Sequence, residues 1–372
     1  MEFNAGYNST MMMSSTSSEN ITLIAWKDLE KEAWERGIFS LSEAIAFSVA
    51  VGLMFIFSTI ANIVTITVIA KTPKLISSPF NIMIISLCVS DLISTIYSPF
   101  ILFWKTFGLF EYPLPVFFCK STFAVDYWTN SVTIQHILCF LAIRLIAMKY
   151  PHRLKRFTIQ RAKMLVCFIW LETALGNLIF AMWLPHVYPS SDLSPTGKSC
   201  AVHHARWKYA RLFFYIGHPI FLFIPTILIV ILTFFLIGVL TKRMESIRER
   251  KKNDANLKKE NAALIQLTLI VLSFLIGYLP DFGYKIFLLI YNVLRKRVDA
   301  RSSWLFSMLA HILLRISECL NPVFYNLGSS QMREATFKFL RIGENGPAGE
   351  PIPLDGVKEK SEQTHKTAAS SV

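Results

Sequence analysis

Seven stretches of this chain are each long and apolar enough to cross a bilayer, and that repetition limits the fold more than any other feature. A helix needs about 20 mostly apolar residues to span the hydrocarbon layer. Residues 43–70, 79–104, 116–149, 164–184, 211–241, 261–290 and 302–327 qualify, the third reading as the least apolar and the fourth as short. The expected fold is an all-α integral membrane bundle of seven helices. Composition agrees: of 372 residues 53% are hydrophobic and 17% charged, against about 25% charged in a soluble domain. A net charge of +13 would suit nucleic acid, but the basic residues gather in loops between apolar segments. Membrane lipid is the partner such loops fit, and nucleic acid is set aside.

Two signals orient the chain. The N-terminal segment holds two N-x-S/T sequons, at Asn8 and Asn20. Glycosylated, they face the exterior. Lys71 and Lys74 lie between spans 1 and 2, Arg153, Lys155, Arg156, Arg161 and Lys163 between 3 and 4, and Lys242 to Lys259 is basic between 5 and 6. These loops are inside if the N-terminus is outside, as the positive-inside rule asks. Arg295, Lys296, Arg297 and Arg301 resist it. The majority sets a multi-pass plasma-membrane protein with its N-terminus extracellular. Met1–Ser18 lacks a basic region followed by an apolar run, so the first span is expected to act as the insertion signal.

Residues 1–42 read as a glycosylated extracellular tail, 43–327 as the transmembrane domain and 342–372 as a disordered cytoplasmic tail. Residues 328–341 carry Met332, Phe337, Phe339 and Leu340 beside Arg333 and Lys338. That pattern predicts an amphipathic helix on the inner membrane surface. Ser370-Ser371-Val372 fits a PDZ domain, which captures a terminal carboxylate by strand addition. Cys88, Cys139, Cys167 and Cys319 sit in apolar runs and are expected to be buried small hydrophobes. Cys119, at the outer end of span 3, and Cys200, between spans 4 and 5, face an oxidising exterior where a bridge is chemically allowed.

Charged groups at mid-bilayer are costly, which makes them functional candidates. Asp91 interrupts span 2, and Asp126, Asn130, Thr133 and Arg144 lie near one face of span 3. Cys119 to Arg144 is 25 residues, roughly 37 Å of helix, so the two mark opposite membrane surfaces. Span 6 aligns Phe274, Tyr278, Asp281 and Lys285, and span 7 aligns His311, Arg315, Glu318 and Tyr325. Two readings stand side by side: ion pairs that hold a bundle together, or a polar cavity open to the outside above a deeper polar cluster.

In this order the residues resemble the rhodopsin-like, or class A, G-protein-coupled receptors across roughly 43–341. Asn62, Leu87 to Leu92 with Asp91, Arg144, Trp170, Pro225, Pro280 and the Asn321-Pro322-Val323-Phe324-Tyr325 motif carry the resemblance, one signature per helix. It implies a Cys119–Cys200 disulfide. It also implies a sodium-pocket-like set of Asp91, Thr133, Ser317 and Asn321, with a sodium ion as allosteric ligand and no other cofactor. Ile134, Pro225 and Phe274 match the family's core trio, and Tyr278, Pro280, Pro322 and Tyr325 its switch positions. Prolines remove a backbone hydrogen bond and give spans 5 to 7 pivots. The acidic-Arg-aromatic triplet is here Ile143-Arg144-Leu145, leaving Glu260 as the expected inner partner of Arg144. Tyr278 stands for the family's tryptophan and Thr233 for a tyrosine.

The resemblance implies a receptor that couples an extracellular ligand to a heterotrimeric G protein, with arrestin a further partner. The expected ligand contacts are Asp126, Tyr127, Asn130, His218, Asp281, Lys285, His311 and Arg315. No enzyme motif appears, and a transporter or channel is a remote alternative. An opsin needs a lysine at Arg315, and a guanidinium is a poor nucleophile. A biogenic amine receptor using Asp126 is the serious alternative. Against it, Gly217, His218 and Phe221 replace the hydroxyls that catecholamine receptors supply, and Arg315 competes for Asp126. The pocket reads as a peptide site, or one for another polar ligand with an acidic group. Asp126 and Arg315 are expected partners, with Asp281 a second partner for Arg315.

Overall fold

The computed structural model describes residues 38–109, 111–150, 152, 156–188, 198–250, 255–293 and 299–340, the side chains of 199, 204, 240, 242–266 and 291–293 lying outside that description. Seven helices are long and apolar enough to cross a membrane. They are α1 (Leu41–Lys71), α2 (Pro79–Lys105), α3 (Val116–Lys149), α4 (Ile159–Trp183), α5 (Trp207–Val239, running on to Arg250), α6 (Ala255–Val293) and α7 (Ala300–Gly328). A shorter helix, α8 (Ser330–Phe339), follows and buries Met332 and Thr336. Sequons Asn8 and Asn20 and the segment 342–372 lie outside the described residues.

Several helices start before their apolar runs because polar side chains cap them. Ser40 Oγ accepts the Glu43 N–H while the Glu43 carboxylate accepts the Ser40 N–H at 2.8 Å, a reciprocal capping box. Thr158 caps α4, whose first residue, Ile159, is five before the expected 164. Asp299 accepts the Ser302 N–H at 2.8 Å, which holds its carboxyl below the usual range. One expectation is corrected: α7, not the third span, is the least apolar, with mean hydropathy 1.2 against 1.8 for α3. Serines, His311, Arg315, Glu318 and Asn321 lower it, and α7 is also the most enclosed span.

The bundle is apolar outside as well as within, because lipid leaves only the helix to satisfy the backbone. On α1, Ile45, Val49, Leu53, Ile56, Ile60 and Ile63 recur every three or four residues and are exposed, while Ser58, Asn62 and Thr65 on the other face are buried. Polar side chains then join helices. Trp170 Nε1 on α4 donates to Ser86 Oγ on α2 at 2.8 Å, and the same hydroxyl bonds His136 Nε2 on α3 at 2.9 Å. Asn177 on α4 donates to Ser131 on α3 at 2.8 Å. The inner core gathers Leu87, Ile134, Phe140, Phe274, Tyr278 and Tyr325. Cys88 and Cys319 are buried and Cys139 is half-buried, but Cys167 is exposed. It shares the outward face of α4 with exposed Met164, Phe168 and Leu171, so the expectation of burial fails for that residue.

Three features were not visible as periodicity. π-helical turns widen α4 at Ala174–Leu178 and α5 at Phe213–Gly217 and Pro219–Phe223. In α5 they fall around Pro219 and Pro225, which offer no N–H to an α-helical ladder. Between α4 and α5, β1 (Pro185–Tyr188) pairs antiparallel with β2 (Ser199–Val202). The Cys119–Cys200 disulfide pins this hairpin to α3, with Cα atoms 5.7 Å apart. Trp104 Nε1 adds a bond to the Cys200 carbonyl at 3.2 Å, and Tyr112, buried beneath, has its hydroxyl pushed up to about 12 by desolvation. Finally, Arg301 at the head of α7 is held by both oxygens of Glu43 on α1, at 2.5 and 2.9 Å. One of the basic residues that resisted the positive-inside pattern is thereby paired.

Candidate functional site

The site grows from two helix faces that meet. On α2, Asp91, Ser94, Ser98 and Lys105 follow at spacings near the helical repeat, and on α7 Ser307, His311, Arg315, Glu318 and Asn321 do the same. Their contacts form rungs down the seam. Lys105 Nζ donates to Ser307 Oγ at 2.8 Å and to its carbonyl at 3.4 Å. Ser98 Oγ lies 3.3 Å from His311 Nε2. Below them Arg315 hydrogen-bonds Ser94 and pairs with Glu318 at 2.8 Å, while Ser94 Oγ also donates to the other Glu318 oxygen at 3.2 Å. At the bottom rung Asn321 Nδ2 donates to Asp91 Oδ2 at 3.0 Å.

Arg315 is the hub. Its second terminal nitrogen reaches across to Asp126 on α3 at 3.4 Å. The side chains of Arg315 and Glu318 are 3% and 1% exposed, that of Asp126 25%. An unpaired charge so deep would be costly, whereas a geometrically satisfied pair is tolerated. The expected Asp126–Arg315 contact is thus present as the longer of two. Glu318 is the closer partner, and its signal was available, three residues from Arg315 on one helical stripe. Asp281 does not join this cluster. It pairs with Lys285 one turn away at 2.6 Å, because a neighbour at i+4 satisfies the carboxylate without a reach across the bundle.

The remaining expected contacts surround that pair. Lys285 Nζ stands 5.3 Å above the Tyr127 ring, which meets His218 edge-on at 4.9 Å. Phe213, Phe214 and Phe223 complete the wall around His218. Neither ring nitrogen of His218 and neither side-chain polar atom of Asn130 has a hydrogen-bond partner, although both residues are buried. Each such group costs about 1–3 kcal/mol until a partner reaches it. A cavity of ≈ 10 Å³ lies beside Ile134, Tyr278, Asp281 and Lys285, room for about one water. The larger cleft, ≈ 290 Å³, opens between α1 and α2 at Gly52, Phe55, Pro99 and Phe103 and touches none of the charged groups. The charged seam, with its convergent polar groups, is the candidate site.

Deeper, the four sodium-pocket-like residues share their hydrogen bonds with neighbours. Asp91 and Asn321 bond each other, but Thr133 Oγ1 pairs with Ser90 Oγ at 3.2 Å and Ser317 Oγ accepts from Ser273 at 3.4 Å. Asp91 Oδ1 is buried without a hydrogen-bond partner, an acceptor that fits a small monovalent cation. Phe274 stacks on Tyr278 at 4.4 Å within the core that holds Ile134 and Tyr325. Pro225 is buried, and Pro280 and Pro322 lie inside their helices. Arg144 is half-buried near the end of α3, and the Glu260 side chain lies outside the described residues. Sequence reasoning passed over Lys105, Ser94 and Ser98. Lys105 falls just past the apolar run 79–104, and serine is common in such helices.

Seven membrane-spanning helices around a charged core, capped at one end by a disulfide-pinned hairpin, define a membrane receptor class, and the sequence comparison agrees. Residues 61–325 match the seven-transmembrane receptor (rhodopsin family) pattern, and the chain belongs to that family of G-protein-coupled receptors, not to an enzyme class. It is 24% identical to neuromedin-U receptor 2 of Rattus norvegicus, over 78% of this chain and 74% of that one. It is 26% identical to a neuromedin U receptor homologue of Caenorhabditis elegans, over 76% of each chain. To lysophosphatidic acid receptor 6 of Mus musculus it is 23% identical, over 76% of this chain and 80% of that one.

Proposed function

We propose that the chain is a plasma-membrane receptor for a peptide, or another polar ligand bearing an acidic group, and that it activates a heterotrimeric G protein. The observation that carries the ligand class is Asp126. An amine would need that carboxylate, and Arg315 already engages it at 3.4 Å. The relatives named for neuromedin U favour a peptide, and the one named for lysophosphatidic acid keeps an acidic lipid as the second reading. The N-terminus, with Asn8 and Asn20, is outside in this reading, and 342–372 is a cytoplasmic tail. Ligand contacts come from Asp126, Tyr127, Asn130, His218, Asp281, Lys285, His311 and Arg315. Binding favours one packing of α5 to α7 over another and opens an inner cleft. There the G protein meets Arg144, the 148–163 loop and the 241–260 segment.

Asp91 with Asn321, Thr133 and Ser317 would hold a sodium ion, which stabilises the resting bundle by supplying positive charge beside Asp91. Arrestin and a PDZ protein are further partners, the second through Ser370-Ser371-Val372, and α8 rests on inner-leaflet lipid. The deciding experiment is a ligand screen in cells carrying a promiscuous G protein, with neuromedin U, lysophosphatidic acid and a biogenic amine panel as its arms. Response to neuromedin U, with none to the amine panel, supports the peptide reading. A response to an amine alone, lost in Asp126→Asn, defeats it.

A further inference from the structure

Arg315, Lys285 and Lys105 lie along the outer half of the bundle, and they are not equally committed. Arg315 is sealed, 3% exposed, and divided between Glu318 and Asp126. Lys285 is buried and held by Asp281 at 2.6 Å, with the Tyr127 ring beside it. Lys105 differs on each count. It is half-buried at the outer end of the α2–α7 seam, and no carboxylate stands within 4.0 Å of it among the described residues. An ammonium has three protons to donate. Ser307 takes two of them, through its hydroxyl and its carbonyl, both neutral acceptors. The third proton is left over, and the charge is met only from a distance, by Asp126 and Asp281. The position is also fixed, because Trp304 Nε1 on α7 donates to the Lys105 carbonyl at 2.9 Å.

We infer that Lys105, steadied by Ser307, is the group that takes the acidic moiety of the ligand, a carboxylate or a phosphate monoester, and that Arg315 is not. An incoming anion reaches this half-buried ammonium without displacing a hydrogen-bonded protein carboxylate. At Arg315 it would have to displace Asp126 and enter a nearly closed space. Charge-assisted bonds of this kind are about twice as strong as neutral ones. Arg315 then serves to hold α2, α3 and α7 together, and Lys105 sets the preference for acids. This assignment rests on the acidic-ligand reading given above.

The test uses the full-length receptor in lipid nanodiscs. Sulfonated N-hydroxysuccinimide acetate, an anionic amine acylator, is applied with and without inorganic phosphate, and acetylation of the peptides holding Lys105 and Lys285 is followed by mass spectrometry. Lys105 is expected to react the faster, and phosphate to slow Lys105 at least severalfold while leaving Lys285 unchanged. Nucleotide exchange is then measured with neuromedin U and with lysophosphatidic acid as separate probes, which tells a peptide acid from a lipid phosphate. Lys105→Gln is expected to raise the half-maximal concentration of the active probe about tenfold or more, and Lys105→Arg to restore most of it. Absence of phosphate protection at Lys105, or a Lys105→Gln receptor that responds as the wild type at matched surface expression, overturns the assignment. A wild-type receptor silent to both probes counts against the ligand reading instead, and the labelling experiment alone then decides Lys105.

Discussion

At the scale of single residues, the Arg315 cluster sets an asymmetry that can be measured. Its guanidinium has a short, enclosed contact to Glu318 and a longer, partly solvated one to Asp126. Removing one partner of an enclosed pair leaves the other charge stranded, at a cost of about 3–5 kcal/mol. A partly exposed contact is screened and contributes about 1 kcal/mol or less. Glu318→Gln is therefore expected to lower the thermal unfolding midpoint of the purified, unliganded receptor markedly, and Asp126→Asn only slightly. Equal losses in a thermal-shift assay would remove Glu318 as the principal anchor. The same geometry limits a charge swap. Asp126→Arg with Arg315→Asp puts a new carboxylate beside Glu318, so surface expression is expected to recover fully only when Glu318→Gln is added.

At the scale of helices, the C-terminal end of α3 faces the question of what restrains Arg144. Its neighbour Ile143 cannot pair with it, and Glu260, on α6, is the carboxylate that remains in our reading. With one restraint where the family commonly has two, basal nucleotide exchange is expected to be high. Glu260→Ala should raise it further. Unchanged basal exchange in that variant, at matched surface expression, would dispose of the single-carboxylate lock. The N-terminal part of α5 is irregular for a reason the residues supply. Pro219 and Pro225 withhold N–H groups, and the π-helical turns around them carry His218 into the aromatic wall with Tyr127. Seven apolar helices were legible as length and hydropathy. Their capped starts were less so, because Ser40, Thr158 and Asp299 are polar and add nothing to an apolar run.

At the scale of the molecule, the Cys119–Cys200 bridge closes 81 residues of chain and seats the hairpin on α3. Such a bridge typically contributes about 2–4 kcal/mol. Cys200→Ser is expected to reduce delivery to the cell surface, read by flow cytometry of a tagged receptor, and Cys119→Ser to match it. Normal delivery of both variants would refute a folding role for the bridge. Orientation has its own test. If the N-terminus is extracellular, Asn8→Gln with Asn20→Gln is expected to remove the electrophoretic shift produced by N-glycosidase treatment. A wild-type receptor insensitive to the glycosidase would leave the basic loops as the sole support for that orientation.

The sequence by itself determined the span count, the helix type and the presence of ionisable groups within the spans, because bilayer thickness and backbone hydrogen bonding leave few alternatives to an apolar run of that length. It also ordered the motifs by which the family resemblance could be seen. Pairing was decided elsewhere. Asp281 could have reached Arg315 or Lys285, and Arg315 could have reached three carboxylates. Spacing within one helix does not say how far the next helix stands or which face it turns. Only the packed bundle, by bringing α2, α3 and α7 to hydrogen-bonding distance, gave Arg315 to Glu318 and Asp126, gave Lys285 to Asp281, and gave Lys105 to Ser307.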